Sequence, residues 1–218
     1  MKYKLIVFDL DGTLVNSLVD LAVSVNKGLE KAGLPVHEIE EYKLFVGNGR
    51  DKLINRAMGE SHTDRELKNI VKTTFDEYYS VHCNDNTTAY PDCAEMLKEL
   101  NDMGVMTAVL SNKPDVFVSE ILERIYPDHK FTLAWGRKPE FSEKPDPQSL
   151  NAMLSELGVD KKDCLYVGDS NVDVFTADNA GVDMLGVDWG FRGREELVSA
   201  GAQVVVSSAK DITEYVNE

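Results

Sequence analysis

Three features of the sequence predict an α/β fold, a Rossmann-like parallel sheet flanked by helices and interrupted by an inserted all-helical cap. A short apolar run, Leu5–Phe8, has the length and composition of a buried strand. From about residue 87 onward, apolar strand-like runs alternate with helical patterns, which is typical of crossover units in a parallel sheet. Between these two parts the sequence shows helical periodicity only.

The middle of the chain is interpreted as a cap because it contains no convincing strand. Over 18–32, apolar residues recur at the spacing of one helix face, and Gly33 and Pro35 end the pattern. Further helical stretches follow at 49–58 and at 63–83, the latter with Thr63 or Asp64 as its N-cap. The first strand can join a sheet made of later strands only if this segment is an insertion. We therefore predict a core of 1–15 and 87–218 and a cap of 16–86.

After Pro91 the predicted elements alternate along the chain, and the tail carries one more strand and helix. The predicted helices cover 92–104, 114–126, 147–158 and 171–181. The predicted strands cover 105–110, 131–134, 164–168 and 182–187. With the first strand included, this order predicts a parallel sheet with helices on both faces.

Composition narrows the classes of partner. The chain has 218 residues and a formal net charge of -15, so nucleic-acid backbones and anionic membranes would be repelled. Its three cysteines show no CxxC spacing, which favours free thiols in a reducing compartment and argues against a zinc site. An aspartate interrupts the first apolar run after four residues, so we expect neither a signal peptide nor a membrane span there, and a cytoplasmic protein.

Polar side chains follow three of the predicted strands at the point where each strand ends. The carboxyl ends of parallel strands meet at one edge of a sheet, where ligands bind. Converging carboxylates repel one another without a cation, and hard oxygen ligands at a partly open site suit Mg²⁺. The residues of the three clusters are Asp9, Asp11 and Thr13; Ser111, Asn112 and Lys113; and Gly168, Asp169, Ser170 and Asp173.

Each cluster taken alone also fits a commoner role. An Asp-x-Asp pair is more often part of a loop or cap, and Ser111 with Asn112 fits a cap for the helix that follows. Lys144 precedes a Pro-x-Pro helix start and fits a solvated lysine, and Lys138 stands in the same Lys-Pro context. We favour Lys144, because the apolar helix after it fixes it against the sheet edge. The functional interpretation depends on all clusters meeting at that edge.

The order of these motifs carries a resemblance. The chain contains "DLDGT", a serine after a central strand, a Lys-Pro before a helix and "GDSNVD", in that order. It thereby resembles the haloacid dehalogenase-like (HAD) hydrolases over its whole length, in the subgroup with a helical cap inserted after the first motif. The segments "FVGNGRDKLINRA", "AYPDCAEMLKEL" and "WGFRGREEL" further resemble the phosphoglycolate phosphatases and their β-phosphoglucomutase-like relatives.

The resemblance implies a magnesium-dependent phosphatase that hydrolyses a small phosphate monoester, such as phosphoglycolate, through an aspartyl-phosphate. Asp9 would be the nucleophile. Asp11 would protonate the leaving oxygen and later activate water. Asp9, the backbone carbonyl of Asp11 and the side chain of Asp169 would hold Mg²⁺, with Asp173 supporting the metal from behind.

Further residues follow from the same resemblance. Ser111, the backbone N–H of Asn112 and the ammonium of Lys144 would bind phosphate oxygens, and Thr13 would orient the nucleophile. Arg50 is a candidate on its own chemistry: it stands in the cap's "GNGRD" turn and could bind a carboxylate or second anionic group of the substrate, although a surface arginine at a helix start fits the sequence at least equally well. The acid at Asp11 favours phosphate-ester hydrolysis over dehalogenation, because a halide leaves without a proton.

Other functions stay open at this stage. A sugar phosphomutase or a pyrophosphatase uses the same core, and a receiver-type signalling domain also phosphorylates an aspartate in a parallel sheet. Receiver domains are shorter, however, and their acceptor follows an internal strand. The sequence identifies neither the phosphate ester nor the oligomeric state, and the expected partner is a small phosphorylated metabolite.

Overall fold

The structure is a computed structural model that describes residues 2–217. Its main sheet has six strands in the order β5-β4-β1-β6-β7-β8, and every neighbouring pair is parallel. These strands are β1 (Leu5–Phe8), β4 (Met106–Pro114), β5 (Leu133–Arg137), β6 (Cys164–Gly168), β7 (Asp183–Val187) and β8 (Val205–Val206). The predicted α/β class with a parallel sheet is confirmed.

Strand β1 lies in the middle of the sheet, between β4 and β6. Leu5 pairs with Met106 on one side and with Cys164 on the other. All four residues of β1 are buried, and they alternate between two apolar clusters, with Ile6 and Phe8 in one and Leu5 and Val7 in the other. The continuous apolar run is therefore explained by a strand covered on both faces.

Helices cover both faces of the sheet. They are α4 (Cys93–Asp102), α5 (Asp115–Ile125), α6 (Gln148–Leu157), α7 (Asn171–Ala180), α8 (Gly193–Ala200) and α9 (Ala209–Asn217). Helix α8 was not predicted, and β5 begins two residues later than the predicted strand and runs three residues further. None of the helices described in residues 2–217 is long and apolar enough to cross a membrane.

Residues 17–86, within the segment predicted as an insertion, contain helices and no strand, as the sequence predicts. They include α1 (Leu18–Lys31), α2 (Arg50–Met58) and α3 (Arg65–His82), joined by short 3₁₀ turns. The side chain of Asp64 accepts hydrogen bonds from the backbone of Glu66 and Leu67, so Asp64 is the N-cap of α3. The three helices share an apolar cluster distinct from the two that flank the sheet.

Two very short strands connect the helical segment to the sheet. Strand β2 (Val15–Asn16) pairs antiparallel with β3 (Thr88–Ala89), so the chain enters and leaves the segment side by side. The sequence did not predict this ribbon, because two residues are too few to show the alternation of a strand. The ribbon brings both ends of the helical insertion next to the end of β1.

Asp20 on α1 binds the two residues that directly precede β3, Asn86 and Thr87. Its carboxylate is buried and accepts hydrogen bonds from the backbone N–H groups of Asn86 and Thr87 at 2.8–3.0 Å. The Thr87 hydroxyl and the Asn86 side-chain amide also donate to it, at 2.7 and 2.8 Å. A buried carboxylate is tolerated only when hydrogen bonds replace its hydration, and here four donors supply them.

We expect Asp20→Ala to lower the free energy of unfolding by about 3 kcal/mol, because two buried backbone N–H groups and two side chains lose their charged acceptor. Denaturation in urea measures the change. Asp64→Ala is the matched control, since it removes an exposed carboxylate that caps α3, and we expect a loss of about 1 kcal/mol. Equal losses in the two variants would contradict this account of Asp20.

Candidate active site

The three predicted polar clusters meet at one edge of the sheet. Asp9 follows β1, Asp169 follows β6, and Ser111 lies in β4, just beyond the part that pairs with β1. The two flanking strands are the direct neighbours of β1, so their carboxyl ends deliver these side chains to the same place. The structure therefore brings together residues that are more than 150 positions apart.

Asp9 is at the centre of this group. Its backbone N–H donates to the carbonyl of Val167 at 2.9 Å, which extends the pairing of β1 with β6 by one residue. Its side chain is nearly buried, and the Oδ1 atom lies 2.9 Å from the Nζ atom of Lys144. Burial raises the pKa of Asp9 to about 7; the ammonium of Lys144 opposes that rise, and the charge of Asp173 adds to it.

Asp169 lies in a tight backbone enclosure. The backbone N–H of Phe191 donates to its Oδ2 atom at 2.7 Å. A Cβ atom at Gly12, whose φ is +94°, or at Gly190 would collide with the Asp169 side chain. Glycine is thus required at both positions for close approach, and at Gly12 also for the backbone conformation. Burial, with the charges of Asp173 and Asp9, raises the pKa of Asp169 well above its usual value.

Asp173 occupies the third helical position of α7. The N–H and hydroxyl of Ser170 donate to its Oδ2 atom at 3.1 and 2.7 Å, and Ser170 in turn caps the helix. This reciprocal capping box places a fully buried carboxylate behind Asp9 and Asp169. The sequence signal for it is the Ser-x-x-Asp spacing in "GDSNVD".

Lys144 neutralises part of this charge. Its buried Nζ atom lies 2.8 Å from Asp173, 2.9 Å from Asp9 and 3.0 Å from the hydroxyl of Tyr166. Burial alone disfavours the ammonium, but Asp173 and Asp9 more than offset it and hold the pKa of Lys144 well above its usual value. Asn112 fixes the backbone of Lys144, accepting from its N–H at 2.8 Å and donating to its carbonyl at 3.1 Å.

The preference for Lys144 over Lys138 agrees with where the structure places the two side chains. The Nζ atom of Lys138 lies 3.8 Å from the centre of the Trp135 ring, outside the carboxylate cluster. Lys144 is buried inside the cluster. The helix that follows Lys144, α6, packs Leu150 and Met153 against the sheet, which anchors the segment as expected from the sequence.

Asp11 points to a different partner. Its carboxylate receives two hydrogen bonds from Lys113 Nζ, at 2.9 and 3.1 Å, and one from the hydroxyl of Ser17. Burial opposes the charge of Lys113, but Asp11 and Tyr79 raise its pKa above the usual value. The sequence places Lys113 beside Ser111 and Asn112 but gives no signal of its pairing with Asp11 across 102 residues.

Thr13 and Ser111 are buried at the same edge. The Thr13 hydroxyl donates to Asp169 at 3.4 Å, so its hydrogen bond is to Asp169 rather than to Asp9. The Ser111 hydroxyl accepts from the backbone N–H of Lys113 at 3.1 Å. The expected roles of Thr13 toward the nucleophile and of Ser111 toward phosphate stay predictions.

The cluster has the composition of a cation site. One carboxylate oxygen each of Asp9, Asp169 and Asp173 can be chosen so that all lie within 4.8 Å of one another. Three carboxylates against the one ammonium of Lys144 leave a formal charge of two negative units, which a divalent cation would balance. Burial is the main cause of the raised pKa values of Asp9 and Asp169, and the charge of Asp173 adds to both. A divalent cation would offset both effects, so the residues present fit a hard divalent metal ion.

A cleft opens between the sheet edge and the helical insertion. Asp9, Asp11 and Ser111 line its floor, while Arg50 and Tyr79 line it from the insertion. The Arg50 guanidinium lies 2.7 and 2.9 Å from the two carboxylate oxygens of Asp76 and 3.3 Å from Asp51. The predicted Arg50 therefore lies in the same cleft as Asp9, with two carboxylates already bound to it.

Tyr79 lies in α3, which the sequence predicts as a helix without singling out this residue. Its ring stacks on Phe75 at 5.2 Å and meets Phe117 edge-on at 5.0 Å, which agrees with a packing role. Its hydroxyl, however, is buried and has no hydrogen-bond partner within residues 2–217. Such an orphaned group costs about 1–3 kcal/mol, so it is a feature that needs an explanation.

Known proteins are similar to this chain over most of its length. The family model described as haloacid dehalogenase-like hydrolase matches residues 6–187. The phosphoglycolate phosphatase of Vibrio parahaemolyticus is 34% identical, over 98% of this chain and 96% of the relative. That of Haemophilus influenzae is 36% identical, over 87% of this chain and 88% of the relative. A crystal structure from Lactobacillus delbrueckii subsp. bulgaricus has a TM-score of 0.93 at 33% identity and covers 99% of both chains.

The fold, the carboxylate cluster and these full-length matches define a hydrolytic enzyme. The chain belongs to the haloacid dehalogenase-like hydrolases, as the sequence motifs predicted. Within that family it is a phosphatase, in agreement with the relatives that match it over its whole length.

The crowding of carboxylates predicts opposite effects for two similar substitutions. We expect Asp169→Asn to raise the free energy of unfolding of the metal-free protein at pH 8 by about 1–2 kcal/mol, because it removes one of three repelling charges and an amide oxygen can still accept from Phe191. Asp173→Asn should lower it by about 2 kcal/mol, because Lys144 loses a carboxylate partner.

Urea denaturation in the presence of a chelator measures both changes. Each substitution replaces a buried carboxylate of the same cluster by an isosteric amide, so each variant is the control for the other. If Asp169→Asn destabilised the protein as much as Asp173→Asn does, the charge repulsion that we describe around Asp169 would be refuted.

Proposed function

We propose that the protein is a magnesium-dependent phosphatase that hydrolyses a small phosphate monoester, with phosphoglycolate as the first candidate, through a phosphorylated Asp9. The observation that carries the proposal is the position of Asp9. Its carboxylate ends the central strand, is held by Lys144 at 2.9 Å, and lines the cleft shared with Asp11 and Ser111. Full-length relatives named phosphoglycolate phosphatase support the choice of substrate.

Asp9 acts as the nucleophile in the first step. A carboxylate oxygen attacks phosphorus, the P–O bond to the alcohol breaks, and the phosphoryl group becomes an acyl phosphate on Asp9. Lys144 holds the Oδ1 atom, which orients the carboxylate and leaves Oδ2 available for attack. In the second step water attacks this phosphorus, releases inorganic phosphate and restores the carboxylate, so two easier displacements replace one difficult displacement.

Asp11 handles the protons of both steps. It gives a proton to the leaving alkoxide and then accepts one from the attacking water. Lys113 and Ser17 hold its carboxylate in the cleft, two residues beyond the nucleophile. In an extended segment, alternate residues point the same way, so Asp9 and Asp11 can reach the same substrate.

Three donors near Asp9 would bind the phosphate oxygens. The Ser111 hydroxyl, the backbone N–H of Asn112 and the Lys144 ammonium supply donors, and Lys144 offsets the charge that builds up in the transition state. The side chain of Asn112 also hydrogen-bonds to the backbone of Lys144, so the end of β4 and the lysine are positioned together. Thr13 supports the site through Asp169.

The metal would be held by Asp9, the backbone carbonyl of Asp11 and Asp169, with Asp173 behind them. When bound, Mg²⁺ would reduce the repulsion between the carboxylate nucleophile and the phosphate anion. Asp173 would then share its charge between the metal region and Lys144, to which it is bound at 2.8 Å. This assignment uses the only group of three or more metal-ligand side chains found within residues 2–217.

The helical segment 16–86 would act as a cap over the cleft. Arg50 and Tyr79 line the cleft from the helical segment, and Asn112 of the core donates to the carbonyl of Gly47 at 3.2 Å. Closure over a small substrate would exclude water during phosphoryl transfer. Arg50 would meet an anionic group of the substrate at the rim, in competition with Asp76.

We expect Asp9→Asn to lower the rate of phosphate release roughly a thousandfold or more, because an amide cannot form the acyl phosphate. A magnesium-dependent screen of small phosphate esters, with phosphoglycolate included, identifies the substrate on which this is measured. Asp102→Asn is the control, since it makes the same change in an exposed helix residue. Wild-type activity in a folded Asp9→Asn variant would show that Asp9 is not the nucleophile.

Removal of the metal is a separate prediction. We expect excess chelator to abolish hydrolysis and added Mg²⁺ to restore it, because the site carries a net negative charge that opposes an anionic substrate. Mg²⁺ should also raise the melting temperature of the wild type but not of Asp169→Asn. Undiminished turnover in excess chelator would rule out the proposed metal dependence.

A further inference from the structure

The cleft contains an unexplained polar group on the cap side. Tyr79 is only 1% exposed, it lines the cleft that holds Asp9 and Asp11, and its hydroxyl has no hydrogen-bond partner within residues 2–217. Packing with Phe75 and Phe117 fixes the ring and therefore the position of the hydroxyl. A phenylalanine would satisfy the packing equally well, so packing alone does not explain the hydroxyl.

Lys113 stands beside this group. Its Nζ atom lies 5.0 Å from the centre of the Tyr79 ring, and the side chain is buried. An ammonium carries three N–H donors, and the two oxygens of Asp11 account for two hydrogen bonds. Tyr79 also raises the pKa of Lys113, so the ammonium and the hydroxyl lie side by side at the same place in the cleft.

We propose that Tyr79 and Lys113 form a subsite for a carboxylate group of the substrate. A hydroxyl donor and an ammonium in a partly buried cleft suit an anionic oxygen group better than a neutral one. Lys113 is bound to Asp11, which would protonate the leaving oxygen of the substrate. A substrate carboxylate bound by Lys113 would therefore be separated from the leaving oxygen by only a few covalent bonds. The inference rests on the proposed function and narrows the substrate to phosphate esters of short hydroxy acids.

Phosphoglycolate has a single carboxylate, so this subsite is an alternative to the one expected at Arg50, and the contacts of Arg50 favour this alternative. Arg50 binds both oxygens of Asp76 and one of Asp51, all on the insertion, and its side chain is 23% exposed. Lys113 belongs to the core, is 3% exposed at its side chain, and is bound directly to Asp11. The pair of Tyr79 and Lys113 thus joins the helical insertion to the reacting end of the substrate.

The test compares phosphoglycolate with ethyl phosphate, which has the same carbon skeleton but no carboxylate. In Tyr79→Phe we expect the ratio of kcat/KM for the two esters to fall about tenfold, which is the value of a hydrogen bond to a charged group. In Tyr78→Phe, the same change at the neighbouring residue outside the cleft, the ratio should equal that of the wild type. In Lys113→Met it should fall at least as far as in Tyr79→Phe.

A binding measurement separates this inference from the proposed function. Calorimetric titration of Asp9→Asn and of the double variant Asp9→Asn/Tyr79→Phe with each ester needs no turnover. Weaker binding of phosphoglycolate alone, by about tenfold in the double variant, supports the subsite even if neither ester is hydrolysed. Equal weakening for both esters, or none, overturns it. If the wild type hydrolyses neither ester but Tyr79→Phe still weakens the binding of phosphoglycolate alone, only the proposed function is refuted.

Discussion

The ammonium of Lys144 lies between the carboxylates of Asp9 and Asp173, and this arrangement sets the charge of the whole sheet edge. Without it, three buried aspartates would face one another with no cation supplied by the protein. With it, three carboxylates face one ammonium, and the cluster keeps a formal charge of two negative units. Asn112 and Tyr166 hold the lysine in place, so the electrostatic balance depends on backbone anchoring as much as on charge.

The topology of the sheet explains how residues far apart in the sequence meet at one site. A parallel sheet places sequence-distant strands side by side, and β1 in its centre receives neighbours from both directions. The side chains that end β1, β4 and β6 are therefore forced together whatever their separation in sequence. Local features also position two of the carboxylates. Gly12 and Gly190 leave room for the side chain of Asp169, and the capping box of α7 orients Asp173.

Sequence patterns predicted what local chemistry determines. The strand before Asp9, the helices of the insertion and the clusters after the strands all follow from periodicity and from the position of polar residues. Residues whose environment depends on tertiary contacts were missed. Lys113 meets Asp11 only in the folded sheet, Tyr79 has the spacing of a core residue, and Asp20 stands among apolar residues of α1 whose partner chain returns more than 60 positions later. The hydrogen bond of Thr13 to Asp169 depends on the same kind of contact.

The central position of β1 has a consequence for how the protein is made. Leu5–Phe8 is the first strand to be synthesised, yet Leu5 pairs with Cys164, a residue 159 positions later. At translation rates of about 5–20 residues per second, this strand waits roughly 8–30 s for that neighbour. Helices α1, α2 and α3 pack on one another and all end by His82, so their partners are synthesised well before Cys164. During biosynthesis the insertion can therefore fold before the sheet to which it is attached, because β1 lacks its β6 neighbour until Cys164–Gly168 has been made.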